Sequence, residues 1–200
     1  HGLIDELGMW ALRRACATAV AWPEIYIAVN VSPAQLRNQE FGQALSDVLD
    51  ELGFPPARLE LEVTETYLIT SPAQAQQSLD VLRDLNVTIA LDDFGSGFSS
   101  IGYLRSFTFD KLKLDRSLIA GIAADRHAQR FVRATIAMAD TLGLQVVAEG
   151  VESGDEASLL QLAGCHEFQG FYLGKPCSAA EFTALLQANA DALVREDAVR

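Results

Sequence analysis

The sequence has few cysteines, few histidines and no long uncharged apolar run. Its three cysteines are odd in number, widely spaced and set among apolar residues, which indicates reduced core thiols in a cytoplasmic protein instead of disulfides or a zinc site. No stretch approaches the roughly 18 apolar residues that span a bilayer, and no signal-peptide pattern opens the chain. We therefore expect a cytoplasmic chain without a membrane segment.

Basic residues are also scarce, with 15 lysines and arginines against 27 acidic residues and a formal net charge of −12. This balance argues against a broad surface for DNA or RNA, because such surfaces neutralise phosphates with basic side chains. If the ligand is a phosphate, the field of the protein opposes it, so bound cations must supply the attraction.

The 200 residues, half of them hydrophobic and 21% charged, predict one globular domain over residues 1–200. The chain has no initiator methionine, and its first residues run directly into a helical pattern. We therefore expect a piece of a longer polypeptide.

Six apolar runs predict strands, and helical patterns separate most of them. This alternation is typical of parallel strands joined by crossover helices. Serine-led capping boxes predict four helix starts, at Ser32, Ser71, Ser153 and Ser178. Residues suited to a left-handed cap predict four helix ends, at Gly53, Asn86, Gly143 and Gly164. The predicted strands are residues 25–31, 59–63, 87–91, 111–114, 144–148 and 168–173.

A doubly wound sheet and a closed barrel both fit this alternation, and the polar residues favour the barrel. Counting by twos along each strand places one polar residue at each carboxyl end, where barrel enzymes gather their chemistry. No glycine-rich phosphate loop follows the first strand, as a doubly wound sheet would favour. The polar residues at the carboxyl ends of the six predicted strands are Asn30, Glu62, Asp92, Lys113, Glu149 and Gln169. We therefore predict an α/β fold of the TIM-type (β/α) barrel class, incomplete, with about six of eight strands present.

The pair Asp92-Asp93 follows an apolar strand and precedes a glycine-rich turn. Alone, such a pair is more often a solvated acidic turn. With Asn30 and Glu62 it forms an oxygen-only ligand set, which selects magnesium, manganese or calcium over zinc. Lys113 at the barrel mouth could orient a water or offset phosphate charge, or could form an ordinary salt bridge.

These residues resemble the EAL domain family, and the resemblance covers essentially the whole chain. Six motifs occur in the order of that family, where any one motif would be weakly informative. The motifs are Asn30-Val31-Ser32-Pro33-Ala34-Gln35, Glu62-Val63-Thr64-Glu65, Asp92-Asp93-Phe94-Gly95-Ser96-Gly97-Phe98-Ser99-Ser100, Lys113-Leu114-Asp115, Ala148-Glu149-Gly150-Val151-Glu152 and Gln169-Gly170-Phe171 with Lys175-Pro176.

The resemblance implies a barrel that hydrolyses cyclic di-GMP to the linear dinucleotide with two Mg²⁺ or Mn²⁺ ions. By position, Asn30, Glu62 and Asp92 would hold one metal, and Asp92 with Asp93 would hold the second. Lys113 would position the attacking water, and Glu149 would orient a water at the metals. Such a two-metal site lowers the pKa of a water and stabilises oxyanion charge at phosphorus.

The resemblance also implies supporting or substrate-binding residues, each with a simpler alternative. Gln169 would lie within or just outside the metal shell, and Glu152 would anchor the loop over residues 92–100. Phe171 with Pro176 fits core and turn better than a guanine platform. Gln35 is explained by its capping box, and Glu65 and Asp115 by helix starts. Family members commonly pair near the 92–100 loop, so a homodimer is an expectation.

The Glu-Ala-Leu segment that names the family does not occur in this sequence. We expect it upstream of His1, together with the two strands that the barrel lacks, so this fragment could be inactive. One alternative is a catalytically inactive module that senses cyclic di-GMP. Another, from barrel logic alone, is a metal-dependent lyase or isomerase similar to the enolase superfamily, with a lysine base.

Overall fold

The computed structural model describes residues 2–70, 72–97 and 101–197. Helices and strands alternate along the chain as the sequence predicts. In order they are α1 (Gly2–Ala19), β1 (Ile27–Asn30), α2 (Pro33–Arg37), α3 (Phe41–Leu52), a 3₁₀ turn (Pro56–Arg58), β2 (Leu59–Thr64), α4 (Glu65–Thr70), α5 (Pro72–Asp84), β3 (Thr88–Phe94), α6 (Ile101–Ser106), β4 (Lys111–Leu114), α7 (Arg116–Ile119), α8 (Arg126–Thr141), β5 (Gln145–Ala148), α9 (Gly154–Leu162), β6 (Glu167–Phe168) and α10 (Ala179–Asp197).

The six strands form one sheet in the order β1-β2-β3-β4-β5-β6, and every neighbouring pair is parallel. Each strand thus lies beside the next strand in sequence, as in a singly wound barrel. The sheet curls into a half-barrel with the helices around it, which confirms the predicted fold class. All carboxyl ends of the strands lie at one rim.

The helix ends follow the local chemistry that the sequence predicts. Both arms of the capping box are present at Ser32, Ser153 and Ser178, while Ser71 lies outside the described residues. The predicted left-handed caps are also confirmed, because each has a positive φ. These caps are Gly53, Asn86, Gly143 and Gly164.

The last predicted strand is wrong in extent, because β6 covers only Glu167–Phe168 and the chain then turns. A Cβ on Gly170 would lie 2.1 Å from the carbonyl oxygen of Val151, so only glycine permits this close backbone approach. Phe171 is 60% exposed, and the expectation that it packs in the core is therefore also wrong.

The core lies between the sheet and its helices, and it consists of leucine, isoleucine, valine and phenylalanine side chains from nearly every element. Cys16 and Cys165 are buried free thiols, but Cys177 is exposed, which corrects the expectation of three core thiols. Within residues 2–70, 72–97 and 101–197, no helix combines the length and apolarity that a bilayer span requires.

Candidate metal centre

Lys113 lies at the centre of a group of carboxylates at the rim. Its side chain is 4% exposed, and its Nζ contacts Glu62 Oε1 closely. The same Nζ lies 2.7 Å from Glu149 Oε1 and 3.2 Å from Asp92 Oδ1. The carboxylates come from β2, β3 and the residue after β5, so parallel pairing brings residues distant in sequence to one point.

Burial and crowded negative charge govern the ionisation of this group. Burial would lower the pKa of Lys113, but its hydrogen bonds to Glu149 and Glu62 outweigh burial and raise it. Burial raises the pKa of Glu62 and of Glu149, and the charge of Asp92 adds to both increases. Lys113 therefore stays an ammonium at neutral pH, and the group holds more negative charge than Lys113 alone balances.

A change in backbone conformation brings Asp92 and Asp93 toward the same centre, although neighbouring residues of a strand normally face opposite sides. The register between β3 and β4 shifts between Leu91 and Phe94, and Asp93 has a φ of 59°. A non-glycine residue in the left-handed region is uncommon and stores strain, which concentrates at functional sites. Burial and the charges of Asp92 and Asp115 raise the pKa of Asp93.

Carboxylate oxygens of Asp92, Asp93 and Glu149 lie within 4.8 Å of one another. Asp92 Oδ1 is buried and makes no hydrogen bond within the described part of the chain, although Lys113 is its ionic neighbour. An under-coordinated buried oxygen in an oxygen-only set suits a hard divalent cation. The residues present therefore fit the metal site that the sequence predicts.

The two candidate residues on the edge strands are more exposed than those at the centre. Asn30 ends β1 and is the register partner of Glu62, but its side chain is exposed. Gln169 follows β6 and is exposed. Its backbone N–H donates to the Ala148 carbonyl at 2.8 Å, which continues the hydrogen-bond pairing of β5 and β6. Both lie at the predicted rim, and their roles as ligands remain predictions.

Three of the supporting candidates have structural partners. Gln35 is 2% exposed, and its Oε1 accepts from the N–H of Ser32 in the capping box. Asp115 caps α7 by accepting from the N–H of Ser117 at 3.0 Å. Glu152 pairs with Arg116 at 2.7 Å.

The other two supporting candidates lie at the start of a helix and in a connecting segment. Glu65 is the buried first residue of α4, and Pro176 is exposed in the segment before α10. Residues 98–100 lie outside the described part of the chain, and Phe98 with them. Loop anchoring by Glu152 therefore remains a prediction.

Sequence reasoning missed a second charged layer nearer the amino ends of the strands. Lys111 contacts Glu60 and Glu167. Lys111 precedes Lys113 by two residues, and Glu60 precedes Glu62 by two. The same counting by twos would have found this layer, because residues two apart share one face of a strand.

Comparison with known proteins agrees with this geometry. The family model described as "EAL domain" matches residues 1–176. The chain belongs to the EAL domain family. The match includes every candidate residue named above, from Asn30 to Pro176.

Several EAL domain proteins are similar to this chain. The cyclic di-GMP phosphodiesterase PdeR of Escherichia coli is 38% identical over 90% of this chain and 28% of that protein. A structure of the MucR phosphodiesterase of Pseudomonas aeruginosa in a cyclic di-GMP complex is 35% identical, with a TM-score of 0.84 over 90% of this chain and 75% of that one. BlrP1 of Klebsiella pneumoniae, in a manganese and cyclic di-GMP complex, is 34% identical, with a TM-score of 0.81 over 86% of this chain and 45% of that one.

The chain spans about a quarter of the length of the curated relatives that it matches. The family assignment therefore concerns this EAL domain.

Proposed function

We propose that this EAL domain hydrolyses cyclic di-GMP to the linear dinucleotide. The observation that carries the proposal is the convergence of Glu62, Asp92, Asp93 and Glu149 around Lys113 at the carboxyl-end rim. Similar proteins with this fold are named cyclic di-GMP phosphodiesterases, and two similar structures are complexes with that nucleotide.

The proposed cofactors are two Mg²⁺ or Mn²⁺ ions. Carboxylate oxygens of Asp92, Asp93 and Glu149 already lie within 4.8 Å of one another, and Asn30 and Glu62 complete the proposed set. When ionised, the four carboxylates exceed the charge of Lys113 by three, which two divalent cations would offset. Bound there, the cations would lower the pKa of a water and stabilise negative charge on phosphate oxygens.

The side chains of this domain supply the remaining parts of the chemistry. Lys113 has a raised pKa, so it donates hydrogen bonds and offsets phosphate charge instead of accepting a proton. Glu149 pairs directly with Lys113 Nζ at 2.7 Å, and its carboxylate would accept a hydrogen bond from a water held at the metals and so orient that water beside the ammonium. Asn30 in place of an acid, together with the adjacent pair Asp92-Asp93, argues against the lyase or isomerase alternative.

A sensor that binds cyclic di-GMP without cleaving it is the second candidate. The sequence feature that favours it is the lack of a Glu-Ala-Leu segment, whose glutamate is the expected additional ligand. The two candidates differ in turnover and agree on binding.

Free thiols at Cys16, Cys165 and Cys177 suit a reducing compartment, so we propose that either function is carried out in the cytoplasm.

Hydrolysis measured by chromatography tests the proposal directly. The parent protein and this chain are incubated with cyclic di-GMP and either MgCl₂ or MnCl₂, beside Asp92→Asn. We expect the linear dinucleotide from the parent protein, its loss on chelation, and a rate at least about 100-fold lower for Asp92→Asn, since a charged ligand is lost. Nucleotide binding without any product would favour the sensor, and neither binding nor product would refute both.

We also propose that two copies pair near the 92–100 loop. An apolar pocket of about 570 Å³ opens beside this loop, with Phe94, Leu118, Phe131 and Met138 in its lining. Phe131 is 53% exposed, which is unusual for a phenylalanine on a helix that otherwise packs on the sheet. A second copy of the same face would cover it in a two-fold contact.

A further inference from the structure

A second, partly buried cation lies beneath the candidate metal centre and has no part in the chemistry above. Lys111 Nζ lies 2.9 Å from Glu60 Oε2 and 2.7 Å from Glu167 Oε1. These three residues, here the Lys111 cluster, belong to β4, β2 and β6. One ammonium therefore joins three strands that are not neighbours in the sheet.

The geometry of β3 permits this connection. Ala90 is the register partner of both Lys111 and Glu62, and it lies between β2 and β4. Its methyl side chain is fully buried and leaves room for the lysine to reach across β3. Lys111 and Lys113 share one face of β4, so the two lysines lie one above the other inside the curled sheet.

The Lys111 cluster is more than a surface salt bridge. The Lys111 and Glu60 side chains are 14% and 10% exposed, while Glu167 is 47% exposed. Burial would lower the pKa of Lys111, but its hydrogen bonds to Glu167 and Glu60 outweigh burial and raise it. Breaking the shielded Lys111–Glu60 pair would leave an uncompensated charge and is costly, whereas pairs between exposed side chains contribute little.

We propose that Lys111 is a positioning residue for the candidate metal centre. By joining β2 and β6 to β4 near the amino ends, it sets the curl of the sheet and hence the spacing of the carboxylates one layer above. Glu62 lies two residues beyond Glu60 on β2, so a shift of that strand moves Glu62 directly. The proposal rests on the proposed function, because it concerns the affinity of the same site for its cations.

Titration calorimetry with MnCl₂ alone tests the proposal without depending on catalysis. The proteins are the wild type, Lys111→Met, Lys111→Arg and Glu167→Gln, each checked for folding by circular dichroism. Arg13→Met is the matched control, because it removes one positive charge from an exposed pair with Glu51. Glu167→Gln removes the β6 contact and leaves the buried Lys111–Glu60 pair intact, so it is expected to fold even if Lys111→Met does not.

We expect Mn²⁺ affinity to fall about 10-fold in Lys111→Met and severalfold in Glu167→Gln. Losses of this order are typical when a residue that orients the metal ligands, without binding the metal itself, is replaced. Lys111→Arg should recover most of the affinity, and Arg13→Met should match the wild type. A merely structural role would lower the melting temperature and leave affinity unchanged. Wild-type affinity in folded Lys111→Met, or in Glu167→Gln if Lys111→Met does not fold, would overturn this inference. A wild-type protein that binds no Mn²⁺ would instead overturn the proposed function, and this inference with it.

Discussion

Replacing Lys113 with methionine tests whether this ammonium holds the carboxylate group together. The substitution keeps a long side chain at a position that is 3% exposed, but it leaves Glu62, Asp92 and Glu149 without their shared cation. Removing one partner of a buried ion pair costs about 3–5 kcal/mol. The Asp92 and Glu149 side chains keep 11% and 17% exposure, so solvent relieves part of the cost and we expect about 3 kcal/mol.

For a domain of this size, that loss lowers the melting temperature by about 6–12 °C. Differential scanning calorimetry and urea unfolding in the presence of a chelator measure it, with Arg13→Met as the control. That variant loses a partner of an exposed pair and should change the free energy of unfolding by less than about 1 kcal/mol. Saturating Mn²⁺ should restore much of the stability of Lys113→Met, because the cation takes over the role of the ammonium. A loss below about 1 kcal/mol, or no recovery with metal, would show that Lys113 does not hold these carboxylates together.

Two further predictions concern stability and assembly. Arg58 donates to the carbonyls of Ala19 and Ile25 at 2.7–2.9 Å, so Arg58→Met should cost about 2 kcal/mol by urea unfolding; an unchanged midpoint would contradict this. Lysine at position 58 should not restore the loss, because a single ammonium lacks the planar fork of arginine. Phe131→Glu should convert a dimer to a monomer in analytical ultracentrifugation while the circular dichroism spectrum of the folded domain is kept. A wild-type monomer at all concentrations would contradict the pairing proposal.

Local sequence chemistry predicted most of the fold because its signals act over a few residues. Ser32 and Ser153 cap helix starts, and Gly53 and Asn86 end helices in the left-handed conformation. Both features satisfy unpaired backbone groups of the adjacent helix, and no tertiary contact overrides them. The end of β6 was not predictable in this way. It depends on the approach of Gly170 to the backbone of Val151, a contact between segments that are distant in sequence.

The sequence predicted which residues lie at the candidate site, but it predicted less well which of them contact one another. Counting along strands identified Glu62, Asp92 and Lys113 at the rim, and all three are buried. Sequence could not show which carboxylates approach each other, because that depends on the register shift in β3 and the left-handed backbone at Asp93. Asn30 lies on an edge strand of the described sheet, where the alternation of faces does not guarantee burial.

The most direct test of the two-metal site is anomalous diffraction at the manganese edge, from crystals of the parent protein grown with MnCl₂ and cyclic di-GMP. We expect manganese peaks in contact with Asp92, Asp93 and Glu149, with a phosphate of the nucleotide beside them. Peaks elsewhere, or nucleotide bound at this rim without any manganese near Asp92, would contradict it.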